Sequence, residues 1–292
     1  PEDAADVAWL LGHLGSAEKK VIHDAVRLIT GSISDFLDDY FESEILKGYL
    51  AASSTTGTKV GPMSAGSGLV SLMMMLGEHD GHLGSWSFHK GGNGGFIQLL
   101  GKAAESFGAE IRTEAPVARI RTRGDRATGV VLADGEEIDA SVVLSSADAK
   151  VTFLDLLEPG SLDSSFEEEV RRFKFRGSSG KVNLAVDRLP DFTCLPGEGE
   201  HLRGAISFSP STRDMEQAYD DAKYGHWSNK PYIDMIIPTL VDPQMAPPGK
   251  HVISCFVQYA PYKLAPELGT WDDNGNREAF GDAVINRIAE FA

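Results

Sequence analysis

The chain of 292 residues has only two cysteines, Cys194 and Cys255, too few for a disulfide framework. A buried, reduced pair is expected, as suits a cytoplasmic protein. Long apolar runs are missing as well. The richest, Leu69 to Leu76, falls far short of the roughly 20 residues a membrane span requires. No secretory leader is visible, so no integral membrane span is expected. Positive charge is scarce: 27 Lys and Arg against 43 Asp and Glu leave a net charge of −16. Nucleic-acid backbones and anionic membranes repel such a chain, and neither is expected as a partner. The acidity itself reads as a solvated surface.

Several chemistries lack their residues. There is no HExxH and no paired CxxC, which disfavours a metal hydrolase. His79 and His82 form an HxxH, but no third ligand lies nearby and the stretch reads as a loop, so no metal site is expected. A G-x-S-x-G elbow and a P-loop are both absent. So is a strict G-x-G-x-x-G: Gly92-Asn93-Gly94-Gly95-Phe96-Ile97 lacks the third glycine. The chain starts at Pro1 without Met and ends at Ala292 inside a helical pattern, which suggests a fragment.

The residues that are present make an ordinary globular composition: 42% hydrophobic, 9% aromatic and 24% charged, enough for two domains or one large one. The first ninety residues read mainly as helices. Ser16 to Thr30 carries apolar residues at helical spacing; Ile33, Phe36, Leu37, Tyr40 and Phe41 share one face. Ser43 is a candidate N-cap for Glu44 to Ala52, and Ser53 to Gly68 reads as a loop. Leu69 to Leu76, apolar on all sides, is either a buried core helix or a wall of an apolar cavity. Trp86, Phe88, His89 and Lys90 either line a cavity or pack a core, and His89 is a candidate acid–base group.

Next comes the glycine turn Gly91, Gly92, Gly94, Gly95. Its meaning is a sharp backbone turn without Cβ obstruction, serving as a hinge or as a cofactor contact. A helix through Phe107 follows, stopped by Gly108. Strands are predicted at Ala109–Thr113, Val117–Arg123 and Ala127–Leu132, with Asp134-Gly135 as a hairpin signal before Glu137–Ala140. Ser141–Leu144 reads as a buried strand. The remainder alternates: strands at Lys181–Val186, Gly204–Phe208, Tyr232–Ile237 and His251–Tyr259, helices at Phe166–Phe173, Ser211–Ala222 and Arg277–Phe291.

One ordered set of motifs is specific. Gly91-Gly92-Asn93-Gly94 begins a helix, Gly108 to Ile111 leads to Pro116-Val117, and Val131 to Glu136 is followed by Val142 to Asp148. In this order the pieces resemble the phytoene desaturase-like FAD-dependent oxidoreductases, and Tyr40 to Ala51 adds a weaker match upstream. The resemblance implies a mixed α/β fold: part of a Rossmann-like FAD-binding domain with a β-meander, and a substrate domain of mixed sheet flanked by helices. It assigns 1–90 to a helical part of the substrate domain, 91–150 to the FAD-binding domain and 151–292 to the mixed-sheet substrate domain. The family's G-x-G-x-x-G would precede Pro1 and its C-terminal flavin segment would follow Ala292, so the chain alone is expected to bind FAD poorly and to be inactive.

The resemblance also marks residues. Gly91, Gly92 and Gly94 stand at the family's glycine turn. Val117 matches a position whose main chain contacts the adenine, though it also reads as a plain strand valine. Ser145, Ser146 and Ala147 match a turn near the adenosine end, or else an N-cap before Ala149. Lys181, in Ser178 to Leu184, is similar to a strand lysine that related flavin amine oxidases hold near flavin N5 through a water. The alternative is a surface strand lysine. The implied function is hydride transfer between FAD and an apolar, polyene-like small molecule. Flavin amine oxidation and a scaffold that has lost its flavin are the alternatives.

Overall fold

The computed structural model describes Gly12 and residues 18–84, 87–273 and 275–292. Helices α1 (Lys19–Thr30), α2 (Ile33–Asp38), α3 (Glu44–Thr55) and α4 (Ser67–Met74) come first, then the short hairpin β1 (Glu78–His79) and β2 (His82–Leu83). Helix α5 (Gly92–Ser106) leads into β3 (Val117–Arg123), β4 (Arg126–Leu132) and β5 (Glu137–Asp139). A π-helical turn at Val151–Asp155 and helix α6 (Ser164–Arg172) follow. The last stretch holds β6 (Ser179–Val186), β7 (Ile206–Phe208), α7 (Thr212–Lys223), β8 (Tyr232–Ile236), β9 (His251–Gln258) and α8 (Asn276–Ala289). The fold is mixed α/β, as its sequence pattern implies. No helix among the described residues is long and apolar enough to cross a membrane. The chain divides into two compact units, one of Pro1–Phe96 with Arg176–Ala292 and one of Ile97–Phe175.

The first unit is built on an antiparallel sheet of order β6-β9-β8-β7. Alternation along each strand gives it two chemically different faces. One face carries Val182, Leu184, Cys255, Val257, Ile233, Met235 and Phe208, and packs with Phe280, Val284 and Ile288 of α8. Gly180 is required there: a Cβ would stand 2.6 Å from Cε1 of Phe280. The opposite face is polar toward one end and covered toward the other. Tyr232 joins a second cluster with Ile33 and Leu37 of α2, Ala51 and Ala52 of α3, and Met215 of α7. Ser43 caps α3 by accepting the Leu46 N–H at 3.4 Å, as its sequence suggests. The end of β9 ties in the segment after α3: the fully buried Gln258 accepts from Gly57 N–H at 2.8 Å and donates to Thr55 O at 2.8 Å, while Tyr259 Oη donates to Val60 O at 2.7 Å.

The second unit holds the meander β3-β4-β5, antiparallel throughout. Its buried apolar side chains are Ile120, Leu132 and Val170. Arg121 pairs with both Glu137 and Asp139 across the meander, and Arg112 forms a bidentate pair with Glu136 at 2.9 and 2.7 Å.

Five expectations are corrected. Residues 109–113 and 141–144 are not strands: no described strand lies alongside to pair with them, and Leu144 is 93% exposed. Of the two readings of Leu69 to Leu76, the buried core helix does not hold, since Met73, Met75 and Leu76 are exposed and the buried residues of α4 are Ser67 and Gly68. The small end makes the contact because a Cβ at Gly68 would meet Leu28 O of α1 at 2.2 Å. Helix α3 continues to Thr55, past the expected loop start; Ser53, Ser54 and Thr55 satisfy their hydroxyls on carbonyls three residues earlier, and Ser54 and Thr55 are buried there. The cysteines differ: Cys255 is buried and Cys194 is exposed.

Candidate functional site

A cleft of about 730 Å³ opens in the first unit, within the size range of small-molecule sites. Its floor is the polar face of the sheet, contributed by Lys181 of β6, Ile236 of β8 and Ser254 of β9. One wall is the segment that enters the glycine turn, with Phe88, His89, Lys90, Gly92 and Asn93. The other is the β8–β9 connection, with Pro238, Val241, Asp242 and Met245. Apolar and polar groups are thus both well represented around it, suiting a ligand with an apolar body and several polar contacts.

The two walls are joined. Asp242 Oδ2 accepts the Gly91 N–H at 2.7 Å, and its Oδ1 accepts the Gln244 N–H at 3.3 Å. The glycines permit this approach: Gly91 and Gly92 have φ of +80° and +65°, a left-handed bend that side chains rarely adopt. A Cβ at Gly95 would stand 2.6 Å from Lys90 O, so the helix can begin only where this position is bare. Gly94, by contrast, has open space around it. His89 stacks edge-on against Phe96, centroids 5.7 Å apart.

Strand register explains the floor. Lys181 pairs with Phe256, which pairs with Asp234, which pairs with Ser207, so these four side chains form one row on the polar face. Lys181 also lines a smaller cavity of about 300 Å³ with Tyr262, Trp271, Arg277 and Phe280. Ser254 Oγ donates to Asn183 Oδ1 at 2.9 Å, one row along. Ser207 Oγ donates to Asp234 Oδ1 at 3.1 Å. Burial holds the Asp234 carboxyl above the usual carboxylate range, against the opposing pull of the Ser207 hydroxyl and Lys181. On the core face, burial pushes the Cys255 thiol up to about 11, an inert structural cysteine.

The structure brings Lys181, Gly92 and the Asp242-anchored Gly91 together around this cleft. Gly94 sits on the first turn of α5 and does not line it. Val117, Ser145, Ser146 and Ala147 belong to the second unit. Val117 opens β3 opposite Leu132 and is 39% exposed. Ser145 Oγ meets Thr152 Oγ1 at 2.8 Å and accepts the Ala147 N–H at 3.3 Å. The capping role weighed for these serines falls to Asp148, whose Oδ1 accepts from Lys150 and Val151 N–H at 2.8 and 3.1 Å. Trp86 lies outside the described residues. Sequence reasoning missed Asp234 and Asp242. Asp242-Pro243 is a turn signal, whereas nothing local marks Asp234, whose place depends on its neighbours in the sheet.

Among the described residues no cluster of three or more His, Cys, Asp or Glu could hold a metal ion. The donor set around the cleft, ammonium groups, a hydroxyl and the start of a helix, with Phe88, Ile236, Val241 and Met245 as apolar surface, fits the ring portion of a flavin.

Residues 22–266 match the family model for flavin containing amine oxidoreductases. The chain is 38% identical over 272 residues to a pyridine nucleotide-disulfide oxidoreductase domain-containing protein 2 of Mus musculus, covering 91% of this chain and 46% of that protein. It is 28% identical over 269 residues to a 4,4'-diapolycopene oxygenase of Methylomonas, covering 92% and 49%. A lycopene-forming phytoene desaturase of Paracoccus is 28% identical over 219 residues, covering 71% and 38%. The chain thus spans half or less of the length of these curated relatives. Among solved structures, an oxidoreductase from Methanosarcina mazei shares the fold with a TM-score of 0.59 at 20% identity, covering 94% of this chain and 58% of that one.

Proposed function

The chain belongs to the flavin containing amine oxidoreductase family, and on that premise we propose that it forms the substrate-facing part of an FAD-dependent oxidoreductase acting on an apolar, polyene-like molecule. The observation that carries this reading is the cleft itself, which places Lys181 on its floor beside the glycine turn, with Phe88, Val241 and Met245 among its mixed polar and apolar walls. FAD, when bound, supplies the hydride-transfer chemistry. Lys181 offers N–H donors toward negative charge developing at the ring, a role best served away from bulk water. Phe88, Ile236, Val241 and Met245 line an apolar path for the substrate and help exclude water. The names of the relatives, a diapolycopene oxygenase and a phytoene desaturase, support a polyene over an amine.

In this reading the second unit belongs to the FAD-binding domain, with Val117 main chain and the Ser145-Ser146-Ala147 turn toward the adenosine, while Gly91, Gly92 and Gly94 of the first unit form the glycine turn at the start of α5. The exposed Ile111, Val142 and Leu144, in segments without a described partner strand, support its being one part of a larger sheet. The test is the absorption spectrum of the full-length protein. Bound flavin that is reduced or reoxidised on adding a carotenoid-type substrate is expected, with Lys181→Met slowing that step on the order of 100-fold while leaving flavin content unchanged. A colourless protein that takes up no added FAD overturns the enzymatic reading and favours a scaffold.

A further inference from the structure

The two walls of the cleft meet at one place. Asp242 Oδ2 accepts the Gly91 N–H at 2.7 Å, and beside it Met245 lies against Gly92, where a Cβ would stand 3.3 Å from the methionine Cε. No ligand passes between the walls there. We propose that Met245 is a specificity-determining residue, the stop that limits how far an apolar chain enters the cleft, and that Asp242 is the positioning residue that holds it in place. The inference rests on reading this cleft as the substrate site, and it adds a rule about ligand length that no motif marks.

The floor changes character across the sheet. It runs from Lys181 on β6 through Ser254 on β9 to Ile236 on β8, and Ser254 and Ile236 are register partners. The connection that leaves β8 just after Ile236 then supplies Pro238, Val241 and Met245. Apolar lining is therefore contributed chiefly by β8 and the connection that follows it, and an apolar chain gains most by lying against them. Met245 is held by its own turn. It ends the 3₁₀ turn Pro243–Met245, where its N–H donates to Asp242 O at 3.1 Å and Asp242 Oδ1 accepts the Gln244 N–H at 3.3 Å. One carboxylate thus fixes the turn that carries the methionine with one oxygen and the facing glycine turn with the other. The Asp242 N–H donates to Pro238 O at 2.8 Å, which ties this turn back to the start of the connection. Gly92 has to be bare for the contact, since its φ of +65° and the nearness of Met245 both disfavour a side chain. Methionine suits a stop, because its unbranched, polarisable side chain adapts to the end of a ligand. It is 37% exposed and belongs to no buried cluster among the described residues, so its placement serves the cleft and not the core.

The test measures binding of a graded series of unbranched all-trans polyene alcohols to the full-length protein, read without turnover from the absorption shift of the bound polyene. Affinity is expected to rise with chain length up to a limit and then to fall. Met245→Ala is expected to move that limit to longer chains and to tighten the first excluded member on the order of 10-fold, because the truncation frees room for about two chain carbons, each worth about fourfold in affinity. Shorter members, which do not reach the stop, keep their affinity. Met245→Phe is expected to move the limit the other way. A general loosening of the fold does not shift a length limit in opposite directions in two variants of one residue. Asp242→Ala is expected to blur the limit and to speed hydrogen exchange of the Gly91 amide, and Asp242→Asn, which keeps one acceptor oxygen, to do both less. A limit that is the same in wild type, Met245→Ala and Met245→Phe overturns the stop, and Gly91 exchange unchanged in Asp242→Ala overturns the role of Asp242. The polyene signal does not depend on flavin. A colourless protein whose length limit follows Met245 sinks only the flavin reading, and a flavoprotein whose limit ignores Met245 sinks only this proposal.

Discussion

The sheet of the first unit and the meander of the second are both antiparallel, yet they solve burial differently. In the first, α8 covers one face so fully that Ile233, Met235, Cys255 and Val257 are 0% exposed. In the second, Phe107 is 91% and Leu144 93% exposed, and surface arginine pairs bridge the meander and its flanks. Surface ion pairs contribute little to stability, and buried apolar area contributes most of it. The lesson is that the first unit holds an extensive buried core, while the second buries few apolar side chains.

Matched truncations put the sharpest strain on this contrast. Ile233→Ala, in the sheet core, is expected to cost about 2–5 kcal/mol, whereas Leu144→Ala stays within about 0.5 kcal/mol. Urea unfolding of the two variants measures both, and equal losses would abolish the distinction between the units. A smaller effect comes from the close contact behind β6. Gly180→Ala places a methyl against the Phe280 ring and is expected to cost about 1–3 kcal/mol, with Phe280→Leu recovering part of it in the double variant. Thermal melts of the two single variants and the double variant resolve this coupling.

The smallest effect is pH-dependent. Burial raises the Asp234 midpoint in the folded chain, so the proton is held more tightly folded than unfolded. That contribution is fully present below the unfolded carboxylate midpoint and is lost as pH rises through the folded one. Asp234→Asn removes the cost of the buried charge. It is expected to stabilise the protein by less than about 1 kcal/mol at neutral pH and to leave stability near pH 3 unchanged. Melting curves across that range check the sign, and a loss at neutral pH would mean that its partners outweigh the burial of Asp234.

Much of the local structure was legible because it depends on neighbours along the chain. The alternation of Lys181 to Val186 and the apolar spacing of α2 each record a periodicity that secondary structure imposes. The Ser43 cap was legible for the same reason, and so was the turn at Asp134-Gly135. Residues 109–113 and 141–144 carry strand composition but form none, since a strand exists only with a partner at its edge. The Met-rich end of α4 looked like core because composition reports preference and not cover. Of the candidate site, Lys181 and the glycine turn were visible from the motifs, but Asp234 was not, because its pairing with Phe256 spans 22 residues of sequence.

The amino-acid sequence by itself determined the mixed α/β pattern, the glycine bend and the lysine-bearing strand, since each depends on residue type and short-range spacing. The tertiary structure alone decided which face of that strand became a cleft floor, that Asp242 would bind the glycine bend, and that Asp234 would lie in line with Lys181. Those relations follow from strand register and from which helix covers which face. The alternation along each strand marks its apolar side, but which strands become neighbours and which helix covers them is set by packing between segments distant in the chain.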